Sequence, residues 1–142
     1  MPDVTKDLIY RIYDDFAQGR FDSLAEVIDD DIDFVSKAPA EVFPYLGRRR
    51  GRQEVIAGLA ALHDELQVLS ALPVTTLIDG DTAAITLVLE LKNRITERVA
   101  IFLAAHFLRF RDGRVVEYRS IVDSLEAIRQ MLGTRADFGD RA

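Results

Sequence analysis

The chain has no cysteine, no tryptophan and only two histidines among its 142 residues. Without cysteine there is no disulfide framework, no thiol nucleophile and no thiolate-held metal or iron–sulfur cluster, and the expected setting is a reducing cytoplasm. Positive charge is also in short supply. Eighteen Lys and Arg face twenty-four Asp and Glu, and the resulting net charge of -6 repels a phosphate backbone, so nucleic acid is not an expected partner. No stretch approaches the roughly 18 apolar residues of a spanning helix. The opening MPDVTKDLIYRIYDD is charged and periodic where a secretory leader would be apolar, and no membrane partner is expected. The length suits a single domain over residues 1–142, with an ordered core of about 5–133 and a short C-terminal tail.

What is present is organised around Ala100 to Gly133. Arg111-Asp112-Gly113-Arg114, set between two apolar-rich runs, is a strong hairpin signal. Side chains alternate along a strand, so Ala100, Phe102, Ala104, His106, Leu108 and Phe110 share one face, and His106 is its single ionisable group. On the return strand Val116, Tyr118, Ser120 and Val122 alternate with Glu117 and Arg119. If the even faces point the same way, His106, Tyr118 and Ser120 line one concave wall.

Ahead of this hairpin, Leu8, Ile9, Ile12, Tyr13 and Phe16 form an apolar stripe at helical spacing, predicting a helix from about Thr5 to Gln18 that stops at Gly19. A second helix follows, with Ser23 and Glu26 in the form of a capping box, Asp22 as a rival cap, and Leu24, Val27 and Ile28 on its buried face. The run Asp29-Asp30-Asp31 is expected in water at the end of that helix, with no second cluster at ligand spacing to make it a metal site. A short strand carries Ile32, Phe34 and Ser36, and an irregular loop from Lys37 to Arg50 contains Pro39 and Pro44. The basic stretch Gly47 to Arg52 precedes a helix start, where it could capture an anion. It lacks the pattern of a phosphate-binding loop, and the expectation is that its arginines pair the acidic surplus.

A third helix from Gln53 to about Gln67 buries Val55, Ile56, Leu59, Leu62 and Leu66, and its apolar side continues to His63, a secondary pocket candidate. The period then changes to two, and Val68–Ile78, Thr82–Asn93, Val99–Arg111 and Val115–Val122 read as strands joined at Asp79-Gly80-Asp81 and Asp112-Gly113. Asp123 stands before Leu125, Ile128 and Leu132 with Glu126 three residues on, the pattern of a helix N-cap. Three helices, an antiparallel meander and a last short helix make an α+β domain with helices on one side of a curved sheet.

Four motifs in this order resemble the nuclear transport factor 2-like superfamily, in its branch of SnoaL-like polyketide cyclases and ketosteroid isomerase-like proteins. They are Ala17 to Asp22, Asp30 to Phe34, Pro44-Tyr-Leu-Gly47 with Gly51, and Phe110 to Tyr118 continuing to Asp123. The resemblance spans nearly the whole chain. It implies a cone-shaped antiparallel sheet wrapped around the N-terminal helices, a blind apolar pocket, and an outer sheet face that builds dimers. The superfamily contains isomerases, cyclases, hydrolases, dehydratases and proteins without catalysis. In this sequence the ketosteroid isomerase general base falls on Ser36, its oxyanion-hole tyrosine on Ile12 and its neutral aspartate on His106. The cyclase histidine matches His106, but its aspartate partner falls on Ser120, and the Arg-x-Asp pair of limonene epoxide hydrolase-like members reads Ala104 and His106.

Two classes of function follow. The first is an isomerase or cyclase-like lyase acting on an apolar carbonyl compound, with His106 as general acid or base. The second is a non-catalytic ligand-binding or dimeric scaffold domain. In either, Phe34, Phe102, Leu108, Phe110, Val116, Tyr118 and Val122 face Ile12, Phe16, Leu59 and Leu62 across an apolar chamber whose polar groups are His106, Ser36 and Ser120. The ligand is a small apolar molecule with a carbonyl or hydroxyl, and burial lowers the His106 pKa. Ile101, Leu103, Ala105 and Phe107 make the other face of the same strand apolar too, which predicts a homodimer through the outer sheet face unless the last helix covers it.

Overall fold

The structure is a computed structural model, and it describes residues 3–133; the expected C-terminal tail lies outside the described residues. The first helix, α1 (Lys6–Gln18), starts at Thr5, whose hydroxyl accepts from the Leu8 N–H at 3.2 Å. It stops at Gly19, held at φ 70°, a left-handed conformation that a Cβ would disfavour. The second helix, α2 (Phe21–Glu26), is shorter than its apolar spacing suggested, and Val27 and Ile28 already lead into the sheet. Ser23 is not its cap. It sits inside the helix and donates to Asp15 Oδ2 at 2.7 Å, while Arg20 Nε donates to Asp15 Oδ1 at 2.9 Å. Burial pushes the Asp15 carboxyl up, but these hydrogen bonds and the arginine charges outweigh it and hold the pKa low.

The remaining elements are β1 (Ile28–Ser36), β2 (Arg48–Arg50), α3 (Arg52–Glu65), β3 (Leu66–Asp79), β4 (Thr82–Asn93), β5 (Val99–Arg111), β6 (Arg114–Val122) and α4 (Ser124–Leu132). They form one curved six-stranded sheet in the order β2-β1-β6-β5-β4-β3. The expected antiparallel meander accounts for β3 to β6, but the sheet is mixed, because β1 runs parallel to β6. A hairpin fixes the direction of a strand's neighbour in sequence, whereas β1 meets a strand from the far end of the chain, on which local turns carry no information. The acidic run lies within β1 and not at a helix end.

The β5–β6 turn has Asp112 at φ 53° and Gly113 at φ 78°, the paired positive values of a two-residue hairpin loop whose twist matches its strands. Directly after it, Phe110 pairs with Val115 while Arg109 pairs with Glu117, so Val116 is an extra residue in a bulge. Beyond the bulge His106 pairs with Ser120 and Leu108 with Tyr118. Two contiguous clusters fill the concave side. One gathers Ile9, Ile12 and Tyr13 of α1 with Ile32, Phe34, Ile85, Leu87 and Leu108. The other gathers Phe43, Leu62, Leu66, Leu91 and Phe102 with Ala127 and Met131 of α4. Asp123 is the expected cap of α4, accepting from the Glu126 N–H at 3.3 Å. Since α4 buries its apolar side among concave-face residues, the convex face of the sheet stays open. Among the described residues no helix is long and apolar enough to cross a membrane.

Candidate functional site

The curvature of the sheet and the crossing of α1 leave a cavity of about 110 Å³ between them, comparable with spaces of about 150 Å³ that accept a benzene-sized guest. Ile12, Phe16, Leu59, Leu62, Phe34, Phe102, Leu108 and Val122 line it, as do His106, Ser36, Ser120 and Tyr118. Phe110 and Val116, also expected on this wall, do not reach it. The bulge turns Val115 inward in place of Val116, and Phe110 is spent in the core beneath. No Asp, Glu, Lys or Arg lies on the lining.

His106 is 6% exposed, and both of its ring nitrogens are occupied. Nδ1 lies 2.6 Å from the Tyr13 hydroxyl and Nε2 lies 3.1 Å from the Tyr118 hydroxyl. Burial pushes the imidazole down to about 3, so the ring is neutral at physiological pH. The same burial raises both phenols. For Tyr13 the neighbouring Tyr118 adds to the rise, while for Tyr118 a hydrogen bond with Ser120 opposes it and loses. The site is therefore a string of neutral hydrogen-bonding groups in an apolar wall. Its position is set by packing: the Tyr118 ring stacks on Phe34 with centroids 4.4 Å apart and planes 2° from parallel. Ser36, opposite Ser120 in the parallel pair, accepts from the Ala38 N–H at 3.2 Å and so also turns the chain out of β1.

Tyr13 is the site residue that sequence reasoning missed. The resemblance puts the oxyanion-hole tyrosine on Ile12, and the tyrosine that reaches His106 is its neighbour, which the helical spacing shows only as part of the apolar stripe. The available signal was a hydroxyl four residues after the buried Ile9, on a face with no water to satisfy it. His63, in contrast, does not line the cavity. Its Nε2–H donates to the Phe16 carbonyl at 2.8 Å, and its ring meets Phe16 and Phe21 edge-on at 5.4 and 5.1 Å, so it ties α3 to the end of α1.

The charged stretches pair with one another. Arg52 reaches Asp30 at 2.6 Å and Arg111 reaches Asp29 at 3.4 Å. Asp33 gathers Arg48, Arg50 and Arg119 at 3.5, 3.7 and 3.0 Å, away from the cavity, so it does not turn inward toward His106. Among the described residues no group of three or more His, Cys, Asp or Glu could hold a metal ion.

A protein-family model described as the SnoaL-like domain matches residues 9–118. No curated protein matches the chain by sequence. Among solved structures, a proposed isomerase from Rhodopseudomonas palustris is 24% identical, with a TM-score of 0.82 over 92% of this chain and 100% of its own. A limonene epoxide hydrolase-like (LEH-like) enzyme from M. tuberculosis is 13% identical, with a TM-score of 0.74 over 96% and 95%. A protein of ketosteroid isomerase-like fold from Catenulispora acidiphila, solved with trimethylamine, is 14% identical, with a TM-score of 0.77 over 89% and 93%. At these identities the likeness establishes the fold, which hosts unrelated chemistries.

Proposed function

The chain belongs to the SnoaL-like domain family, and from that premise we propose that it is a small-molecule pocket protein whose cavity binds a compact, neutral, apolar molecule through one oxygen atom. The observation that carries this reading is His106 held neutral between two phenols in a cavity otherwise lined by hydrocarbon, aromatic rings and two hydroxyls. Burying a charged ligand there would remove its hydration with no opposite charge in return, whereas a carbonyl or hydroxyl can exchange its water for the Tyr118 and Ser120 hydroxyls. Phe34 and Phe102 supply apolar wall.

Isomerase or cyclase-like lyase chemistry is the second reading, favoured by the same hydrogen-bond chain, since an imidazole bonded at both nitrogens can take a proton at one and release it at the other. A base whose pKa lies near 3 abstracts protons poorly, and no carboxylate on the lining can assist it, so binding is the better-supported function. His106→Ala tests it. The variant loses binding of a compact ketone such as cyclohexanone, followed by shifts of cavity methyl resonances, while its melting temperature falls only modestly. Unchanged ketone binding, or a large loss of stability with no ligand bound by the parent, overturns the reading.

A second copy of the chain is the proposed partner. Leu103 and Phe107 are 56% and 45% exposed on the convex face, Leu103 in line with Val88 and Leu72 and Phe107 in line with Ala84 and Leu77. An apolar stripe across three strands calls for a cover, and a two-fold partner supplies an identical one. Sedimentation showing a monomer at micromolar concentration overturns this. The lack of cysteine supports a cytoplasmic setting.

A further inference from the structure

The Tyr13–His106–Tyr118 chain has a direction, and the direction decides what kind of ligand the cavity prefers. A neutral imidazole owns one N–H and one lone pair, so of two hydroxyls bonded to its two nitrogens, one donates to the ring and the other accepts from it. Suppose Tyr118 donates to Nε2. The ring proton then sits on Nδ1 and goes to the Tyr13 oxygen, and the Tyr13 phenolic proton must find another acceptor. Among the described residues that hydroxyl has no hydrogen-bond partner but His106, so this proton would have no acceptor in the protein.

In the reverse arrangement every group is served. Tyr13 donates to Nδ1, the ring proton sits on Nε2 and goes to the Tyr118 oxygen, and the Tyr118 proton is left over beside Ser120 on the cavity wall. The distances agree with it. A phenol donating to an imidazole lone pair gives the shorter contact, 2.6 Å, and a ring N–H donating to a phenolic oxygen the longer, 3.1 Å. Both tyrosines line the cavity, and Tyr118 is the less buried of the two.

We infer that Tyr13 holds His106 as the Nε2–H tautomer, so that the Tyr118 hydroxyl presents its proton to the cavity and the site selects a compact neutral ketone or aldehyde as a hydrogen-bond acceptor. The inference rests on the reading of the cavity as a small-molecule site and narrows it from carbonyl or hydroxyl to carbonyl. The donors in the chain reinforce one another, because Tyr118 accepts from the ring while it gives to the ligand. A molecule whose only polar group is a donor gains nothing from the Tyr118 proton.

Two measurements on the full chain separate the inference from the reading beneath it. Long-range proton–nitrogen correlation of the His106 ring, without ligand, reads the tautomer directly. The expected pattern is a protonated Nε2 and a bare Nδ1, and a protonated Nδ1 overturns the inference whatever the cavity binds. Cavity-methyl shifts are then followed with cyclohexanone, methylenecyclohexane and pyrrole, which are respectively an acceptor, its hydrocarbon isostere and a donor. Cyclohexanone is expected to bind roughly 3- to 10-fold more tightly than its isostere, with the advantage lost in Tyr118→Phe. Equal affinities for these two, or tightest binding by pyrrole, overturn the ligand class while leaving the cavity a binding site. Entry of none of the three overturns the binding reading itself, and the tautomer measurement still stands on its own.

Discussion

His106 and His63 share a residue type and an apolar neighbourhood, and their neighbours put them to different uses. His63 meets a backbone carbonyl, which can only accept, so its Nε2 carries a proton and the ring is fixed as a strut between α3 and α1. His106 meets two hydroxyls, each able to give or take, so its ring is a link in a chain that ends at a cavity wall. Burial lowers the pKa of both. For His63, which is partly open to solvent, the Phe16 carbonyl pulls back against it, whereas for His106 burial is the whole cause. An apolar face around a histidine is thus no guide to its role. What decides is whether its partners leave any hydrogen-bonding capacity unspent.

The contrast is tested most sharply by acid. The folded pKa of His106, about 3, lies below the unfolded value of roughly 6.5. Between these values the unfolded chain binds the proton and the folded one does not, so stability falls as the pH drops from about 6.5 toward about 3. At about 1.4 kcal/mol per unit, the loss is on the order of 4 kcal/mol over that window. Denaturant titrations of the parent and His106→Gln are expected to differ by that amount in the stability lost across this range, and those of the parent and His63→Gln by clearly less. Equal losses for the two variants would erase the distinction. A smaller effect is expected from His63→Leu, which removes the bond to the Phe16 carbonyl and costs about 1 to 2 kcal/mol, measured by urea unfolding. Its cyclohexanone affinity stays that of the parent, and a weakened affinity would put His63 back in the site. The smallest change is Gly19→Ala. The added Cβ meets His63 Nδ1 at an ordinary 3.6 Å, so the φ of 70° alone costs about 1 kcal/mol, read as a lowered melting temperature with ligand binding unchanged.

Which parts of this were legible in the sequence follows from how local their causes are. The bounds of β4 and β5 could be read to the residue because alternation and the turn glycines at 80 and 113 are written in consecutive positions. The same alternation brought His106, Ser120, Ser36 and Tyr118 to one wall. The parallel pairing of β1 with β6 was not legible, since it joins segments some eighty residues apart, nor was β2, three arginines whose pairing depends on where β1 lies. Tyr13 escaped because a helix period says which side chains are buried but not which hydroxyl meets which nitrogen across the core. His63 misled for the same reason, as its helix face turns toward the α1–α2 junction and not toward the sheet.

The bulge at Val116 makes the site sensitive to counting more than to chemistry. Below the tight turn the strands would otherwise continue in step from Arg111 opposite Arg114 and Phe110 opposite Val115, which would bring Arg119 opposite His106 and Glu117 opposite Leu108. A strand that ran straight through Val116 would thus exchange a phenol and a serine on the cavity wall for two opposite charges without a single substitution, and the bulge is what prevents it. An in-frame deletion of Val116 would remove the bulge and its extra residue together and leave Ser120 opposite His106, whereas a residue lost or gained elsewhere between the turn and Tyr118 would shift every later pair by one.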